Sequence, residues 1–354
     1  MTSAHPYAGL ADHRHWRRAP GVDDMAALDP VVAPKFTIAP SDRVASAGSC
    51  FAQHIMRHLS AAGFNALVTE RAPAVLPAHL AAEFQYGVFS TRSGNVYTAR
   101  QLAQLIARAY GRFVPRTVAW RSRDGFVDPF RPGIDEFASK AELLHLRDQH
   151  LAAVREMIET LDVFVFTLGL TEAWIDEDGA VFPLAPGVAG GSYDPARHRF
   201  HNFTVAETAA DLAEAVAAIR QENPGARFIL TVSPVPLMAT ALDRHVLVST
   251  THSKAVLRVA AQMVADGDPF IDYFPSYEII TAPQTRGAYY GTDARSVTEA
   301  GVRHVIGVFL RHYGGVHAPL APLPLREAGR GAAAHVAAAE EIVEVLCEEE
   351  LLGR

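Results

Sequence analysis

The sequence predicts an α/β fold built on a doubly wound parallel sheet, and three observations carry that expectation. The runs Asp162–Leu168 (DVFVFTL) and Arg227–Ser233 are apolar at most positions, on both faces, as strands buried under helices on both sides must be. Strand-like runs alternate with helical ones along the chain, the order that builds parallel crossovers. The stretch Asp42–Ile55 reads as strand, tight turn at Gly48 and helix, with Phe51, Ile55, Met56 and Leu59 at helical spacing.

Residues 1–40, with Pro at 6, 20, 30, 34 and 40, read as an extended arm around the domain, pinned by Trp16 and Phe36. Residues 41–313 form the α/β domain. Its first helix runs from the Gly48 turn to about Ala62, with Gly63 as the C-terminal stop. Asn65–Thr69 is a short strand. Gly94–Thr98 is a turn that feeds a helix over Ala99–Tyr110, with Thr98 as N-cap and Leu102, Leu105, Ile106 and Ala109 as its apolar stripe. Residues 111–136 read as an inserted loop, and Lys140–Leu161 as an amphipathic helix leading into the strand that ends at Gly169. A second long loop spans 175–203. A helix over Thr204–Gln221, the strand ending before Pro234, a helix over Ser253–Ala265 with Ser253 as N-cap, a short strand around Phe270–Phe274 and a helix over Val297–His312 complete the domain. Residues 314–325 are a Pro/Gly linker. Residues 326–354 are an Ala- and Glu-rich helix whose stripe of Ile342, Val345, Leu346 and Leu351 either docks on the domain or forms a homo-oligomer contact.

With 354 residues, 49% of them apolar and 20% charged, the chain can bury a sizeable core. A net charge of −7 and the lack of any basic block argue against nucleic acid as the main partner. The N-terminus lacks the apolar core of a signal peptide and no run approaches about 18 apolar residues, so the sequence predicts a cytoplasmic protein without a membrane span. The 2 cysteines, Cys50 and Cys347, sit near opposite ends of the chain. They make no disulfide framework, no Cys/His spacing suits zinc, and neither metal nor cofactor is implied.

The Gly48 turn places Ser49 and Cys50 at the carboxyl edge of the sheet and at a helix N-terminus, where N–H groups and the helix dipole stabilise an anion and lower a thiol's pKa. The plainer alternative is that Gly48 only closes a turn and Cys50 is a buried small hydrophobe. The run Gly48-Ser49-Cys50-Phe51-Ala52 matches letter for letter the motif for which the GSCFA family is named, and Ser90–Gln104, Phe166–Trp174, Leu230–Pro236 and Tyr273–Ile279 resemble the same family. That family in turn resembles a branch of the SGNH (GDSL-type) hydrolase superfamily. The resemblance implies a flavodoxin-like three-layer αβα sheet of SGNH-hydrolase type, here with an N-terminal arm and a C-terminal helical extension.

Laying Gly48-Ser49-Cys50-Phe51 on the superfamily's Gly-Asp-Ser-Leu puts Cys50 on the nucleophile position, and a slip of one residue in the turn puts Ser49 there. Asp293 resembles the superfamily acid, but Ser296 stands where its His is expected, so the base must come from elsewhere. His54, four residues after Cys50, and His252, just before a helix, lead the candidates over His201 and His304. Backbone N–H groups of Cys50 and Gly169 with an amide from Asn95 or Asn202 would hold the oxyanion, at about 3 kcal/mol per donor. Thr171 and Glu172 follow Gly169 at the strand end. Tyr277 and Glu278 lie near another, where Glu278 either replaces the missing acid or ties its loop to an Arg. The two long loops, with Trp120, Trp174, Tyr193 and several Arg, read as a lid whose aromatics suit a sugar and whose Arg suit a phosphate or carboxylate.

The implied function is an acyl-ester hydrolase or O-acyltransferase, acting on acetyl groups of a glycan or small hydroxylated substrate through an acyl-enzyme on Cys50 or Ser49. The alternative is a non-catalytic glycan- or partner-binding protein on an SGNH scaffold that lacks the usual His.

Overall fold

Strands buried on both faces must send alternate side chains to opposite sides of the sheet, and the two long apolar runs do so. The computed structural model describes residues 5–22 and 24–316. In it β1 (Val44–Gly48) leads through a turn into α1 (Ala52–Ala61), followed by α2 (Ala78–Glu83) and α3 (Ala99–Ala109). A small antiparallel sheet comes next, of β2 (Trp120–Arg121), β3 (Phe126–Val127) and β4 (Glu136–Phe137), and α4 (Lys140–Thr160) returns the chain to β5 (Val163–Leu168). A second small sheet, β6 (Glu172–Ile175), β7 (Val181–Phe182) and β8 (Arg199–Asn202), precedes α5 (Val205–Glu222) and β9 (Arg227–Val232). The domain closes with α6 (Val246–Asp266), β10 (Ile271–Tyr273), α7 (Ser276–Thr281) and α8 (Glu299–Gly314).

The central sheet has the order β1-β5-β9-β10, and every pairing in it is parallel. Ala66 adds one parallel bridge to Val44 on the outer side of β1. Counted along the chain this is the 2-1-3-4-5 order of a flavodoxin-like doubly wound sheet. Phe164, Phe166 and Leu168 of β5 and Phe228, Leu230 and Val232 of β9 pack under α3, α4, α5 and α6. Val163, Val165 and Ile229 face the other way, onto Ile55 and Leu59 of α1 and Val302, Val305 and Phe309 of α8. Each such side chain contributes about 1.5–3 kcal/mol relative to exposure. The result is a three-layer αβα sandwich.

Helix starts follow their caps. Thr98 and Thr204 each make a complete capping box, with Gln101 and Glu207 respectively. Several boundaries differ from the sequence expectation. The strand expected over Asn65–Thr69 shrinks to the Ala66 bridge. The helix expected from Ser253 begins at Val246, where the His245 side chain accepts from the Leu247 N–H. Both insertions are sheets with buried side chains, and Trp120 is packed against Phe182 rather than offered to a ligand. In the arm, Trp16 is 70% exposed and pins nothing. The arm is held by Phe36 edge-on to Tyr313, by the Ile38 N–H on the Tyr313 carbonyl, and by Asp29 on Arg311 and His312. The linker and helix expected beyond residue 316 lie outside the described residues.

The first insertion is anchored by buried charge. Asp128 is fully buried and bridges Arg131 and Arg147, while Glu70 accepts from His150 and the Arg92 N–H. Breaking such a group by removing one partner typically costs about 3–5 kcal/mol.

β1 meets β5 so closely at its end that only glycine fits. Gly48 pairs with Thr167 and holds φ at +140°, and a Cβ added to it would lie 2.7 Å from the Thr167 nitrogen. Gly48→Ala is therefore expected to destabilise the fold by at least about 2 kcal/mol in urea denaturation; a variant as stable as the parent would refute this close approach.

Candidate functional site

In a doubly wound sheet the crevice opens beyond the carboxyl ends of the strands, where the winding reverses. Here the reversal falls between β1, which has Ala66 on its other side, and β5. The ends of these strands are stitched together by backbone hydrogen bonds. Ser49 N–H donates to Thr167 O at 3.0 Å, Val96 N–H to Gly48 O at 2.8 Å, Gly169 N–H to Tyr97 O at 2.9 Å and Ser233 N–H to Leu168 O at 2.8 Å. Gly169 is crowded: a Cβ there would stand 2.9 Å from a Tyr97 ring carbon and 3.1 Å from Ser49 Cβ.

These residues border a narrow cleft lined by Ser49, Cys50, Tyr97, Gly169, Ser233 and neighbours. Leu170 and Leu237 line both this cleft and a larger groove walled by Trp174, Phe200, Pro183 and Leu184. Ser49 and Cys50 are each 2% exposed. The Ser49 hydroxyl has no hydrogen-bond partner among the described residues. Cys50 precedes α1, whose positive end therefore faces the thiol's side of the turn.

Behind Gly169 lies a group that the motif reading passed over. Lys254 of α6 is 1% exposed, and its Nζ donates to the Gly169 carbonyl at 2.6 Å. Its neighbour Ser253 accepts from the N–H and hydroxyl of Thr171, and the Thr171 hydroxyl also meets Asn202 Oδ1 at 2.6 Å. Lys254 was visible in the sequence as a charged residue three before Leu257, on the face that α6 buries; a lysine at such a position has to find a polar partner inside.

The expected site residues divide. Ser49, Cys50 and Gly169 line the cleft, and Thr171 and Asn202 buttress the chain beside it. Asn95 is buried and lines a neighbouring cavity. Glu172 lines the groove and accepts from Thr240 and the Ala241 N–H. The Gly169 N–H, expected as an oxyanion donor, is spent on Tyr97. Glu278 ties down its segment through Arg258 and the Tyr273 hydroxyl, the second of its two expected roles. Tyr277, beside it on α7, is half-buried.

No histidine lines the cleft among the described residues. His252, expected in a loop ahead of a helix, is exposed on the second turn of α6. His54 is 3% exposed, edge-on to Phe51. Burial, with Arg57 and His58 adding to it, pushes its pKa down to about 3, too low for a general base working near neutral pH. His201 pairs with Glu207, and His304 bridges the Tyr289 hydroxyl and the Leu28 carbonyl. Asp293 is exposed; its carboxylate accepts from the N–H groups of Arg295 and Ser296 and from the Ser296 hydroxyl. Burial opposes its ionisation, but these donors outweigh burial and lower its pKa. Asp293 thus closes a turn with Ser296, and no histidine hydrogen-bonds its carboxylate among the described residues.

The profile of the GSCFA family matches residues 43–309, from the start of β1 into α8. The chain belongs to the GSCFA family. No curated protein matches it. In this GSCFA protein the residues that name the family form the end of β1 and the turn into α1, the strand and turn on which the crevice is built. Among the described residues no helix is long and apolar enough to cross a membrane, and no group of three His, Cys, Asp or Glu is placed to hold a metal ion.

The buried histidines make stability depend on pH. His54 at about 3 and His150 at about 4, the latter also lowered chiefly by burial, are both depressed from about 6.5 in the unfolded chain. The unfolded state therefore binds more protons between those values, so their contribution is complete above about pH 6.5 and is lost as the pH falls through that window. Unfolding free energy from urea titrations is expected to fall between about pH 7 and 5. His54→Leu should make that fall shallower, and an unchanged slope would show that His54 is not buried neutral.

Proposed function

We propose that this GSCFA protein is an acyl-ester hydrolase or O-acyltransferase with Cys50 as nucleophile. The observation that carries this reading is the placement of Ser49 and Cys50 in the crevice between β1 and β5, ahead of α1, with the Lys254 ammonium on the far side of the Gly169 peptide. A serine is a weak nucleophile without an adjacent base, and the Ser49 hydroxyl touches none. A thiol depends less on one, since positive charge and a helix N-terminus raise its thiolate fraction.

In this reading the Cys50 thiolate attacks the acyl carbonyl and the first turn of α1 faces the resulting oxyanion. Collapse expels the alcohol and leaves a thioester, which water or an acceptor hydroxyl then resolves. Lys254 is a positioning residue that favours the thiolate by charge. The narrow cleft suits an acetyl-sized group, while the apolar groove with Trp174 and Phe200 suits the face of a sugar or another hydroxylated acceptor. The SGNH resemblance supports acetyl esters by analogy of fold. A second reading is favoured by the cleft's lack of a lining histidine: a glycan-binding protein on the same scaffold.

Intact-mass detection after mixing with p-nitrophenyl acetate separates these readings. One acetyl group is expected on the parent and on Ser49→Ala, and none on Cys50→Ala. Loss only in Ser49→Ala would move the nucleophile by one residue. No adduct on the parent, with binding of acetylated oligosaccharides, would replace the enzyme by the binding protein. The pH midpoint for alkylation of Cys50 by iodoacetamide should rise by about one unit in Lys254→Met, a shift that a merely structural lysine would not produce.

A further inference from the structure

On the other side of the Asn95–Tyr97 segment, away from Cys50, lies a second, small cavity between α3 and the first insertion. Its polar lining comes from Ser93, Asn95, Gln101, Gln104, Arg108 and Arg131. Most of these donors are engaged. The Ser93 hydroxyl donates to Gly94 O, Gln104 bonds Gly179 O and the Val181 N–H, and Arg131 bonds Asp128 and Arg92 O.

Two are not. Arg108 is 8% exposed; its guanidinium lies 3.9 Å over the Phe130 ring, and no hydrogen-bond acceptor or ion-pair partner among the described residues reaches it. Gln101 is 9% exposed. Its Oε1 accepts the N–H groups of Tyr97 and Thr98 in the α3 capping box, which fixes the amide and leaves Nε2 without a partner among the described residues. Both residues lie on the cavity-facing stripe of α3 at positions 101, 104, 105 and 108.

The charge balance points the same way. Arg92, Arg108, Arg131 and Arg147 face the buried carboxylate of Asp128 and the half-buried carboxylates of Glu70 and Asp135. His150, lowered to about 4, is neutral. One positive charge is in excess. Neither Arg92 nor Arg108 has a carboxylate at ion-pair distance among the described residues, but the Arg92 guanidinium donates to Phe84 O and to the Tyr86 hydroxyl, which leaves Arg108 as the member without a polar partner. Burial lowers Arg108 to about 9, against Asp128 and with Arg147 and Arg131, so it is still a cation at neutral pH. A buried guanidinium whose N–H groups meet no acceptor among the described residues leaves part of its desolvation penalty unmet.

We propose that this cavity binds the carboxylate or phosphate group of a ligand, held by the Arg108 fork and the Gln101 amide. Either oxyanion matches a planar guanidinium with two parallel N–H groups. The site is separate from the Cys50 cleft and stands whether or not that cleft is catalytic.

Melting temperature and titration calorimetry with sodium phosphate and sodium acetate, each against chloride at equal ionic strength, test it. At least one of the two anions should raise the melting temperature of the full chain by roughly 2 °C or more and titrate with a saturable heat. The shift should vanish in Arg108→Met, and Arg108→Lys, which keeps the charge but not the fork, should bind several-fold more weakly. A response to phosphate alone assigns a phosphate-bearing ligand, and to acetate alone a carboxylate. An equal shift in Arg108→Met, or no saturable heat from either anion with the parent protein, overturns the proposal and leaves a water-filled cavity.

Discussion

The close approach of β1 and β5 at Gly48 and Thr167 is the constraint on which the rest of the structure depends. It brings two parallel strands so near at their carboxyl ends that the Gly48 backbone must take a conformation closed to other residues. The Ser49 N–H then reaches Thr167 O, the chain turns, and α1 starts directly above the crevice. Because β5 emerges beside the same point, Gly169 falls against Ser49, and Tyr97 closes over both. Sheet winding and the position of the reactive side chains are thus one geometric fact.

Buried charge is the second organising theme. Where carboxylates meet guanidiniums, as at Asp128 with Arg131 and Arg147, the network staples the insertion to α4. Where a cation is buried without a carboxylate, it marks a place where the fold tolerates a cost that packing alone would remove. Arg108 over Phe130, beside the cavity under the Asn95–Tyr97 segment, is such a place among the described residues.

Much of the architecture was legible in the chain. The apolar runs at β5 and β9, the Gly48 turn and the Thr98 cap all stand where hydrophobic period and capping chemistry put them. The insertions read as loops in the sequence because strands of two to four residues carry too little period; their order comes from Trp120 under Phe182 and from Asp128 among arginines distant in sequence. The start of α6 was missed because its first turns, Val246 to His252, are mostly exposed and so show no apolar stripe.

By itself the sequence determined the layered α/β class, the place of the Ser49-Cys50 turn at a strand end and the family to which the chain belongs, since each rests on neighbours in sequence. Only the tertiary structure decided which groups share the crevice. It sent His54 into the core and His252 to solvent, capped Asp293 with Ser296, and set Lys254 behind Gly169, eighty-five residues away in the chain. Helical spacing says which face a side chain occupies, but only packing between helices and sheet says what that face meets.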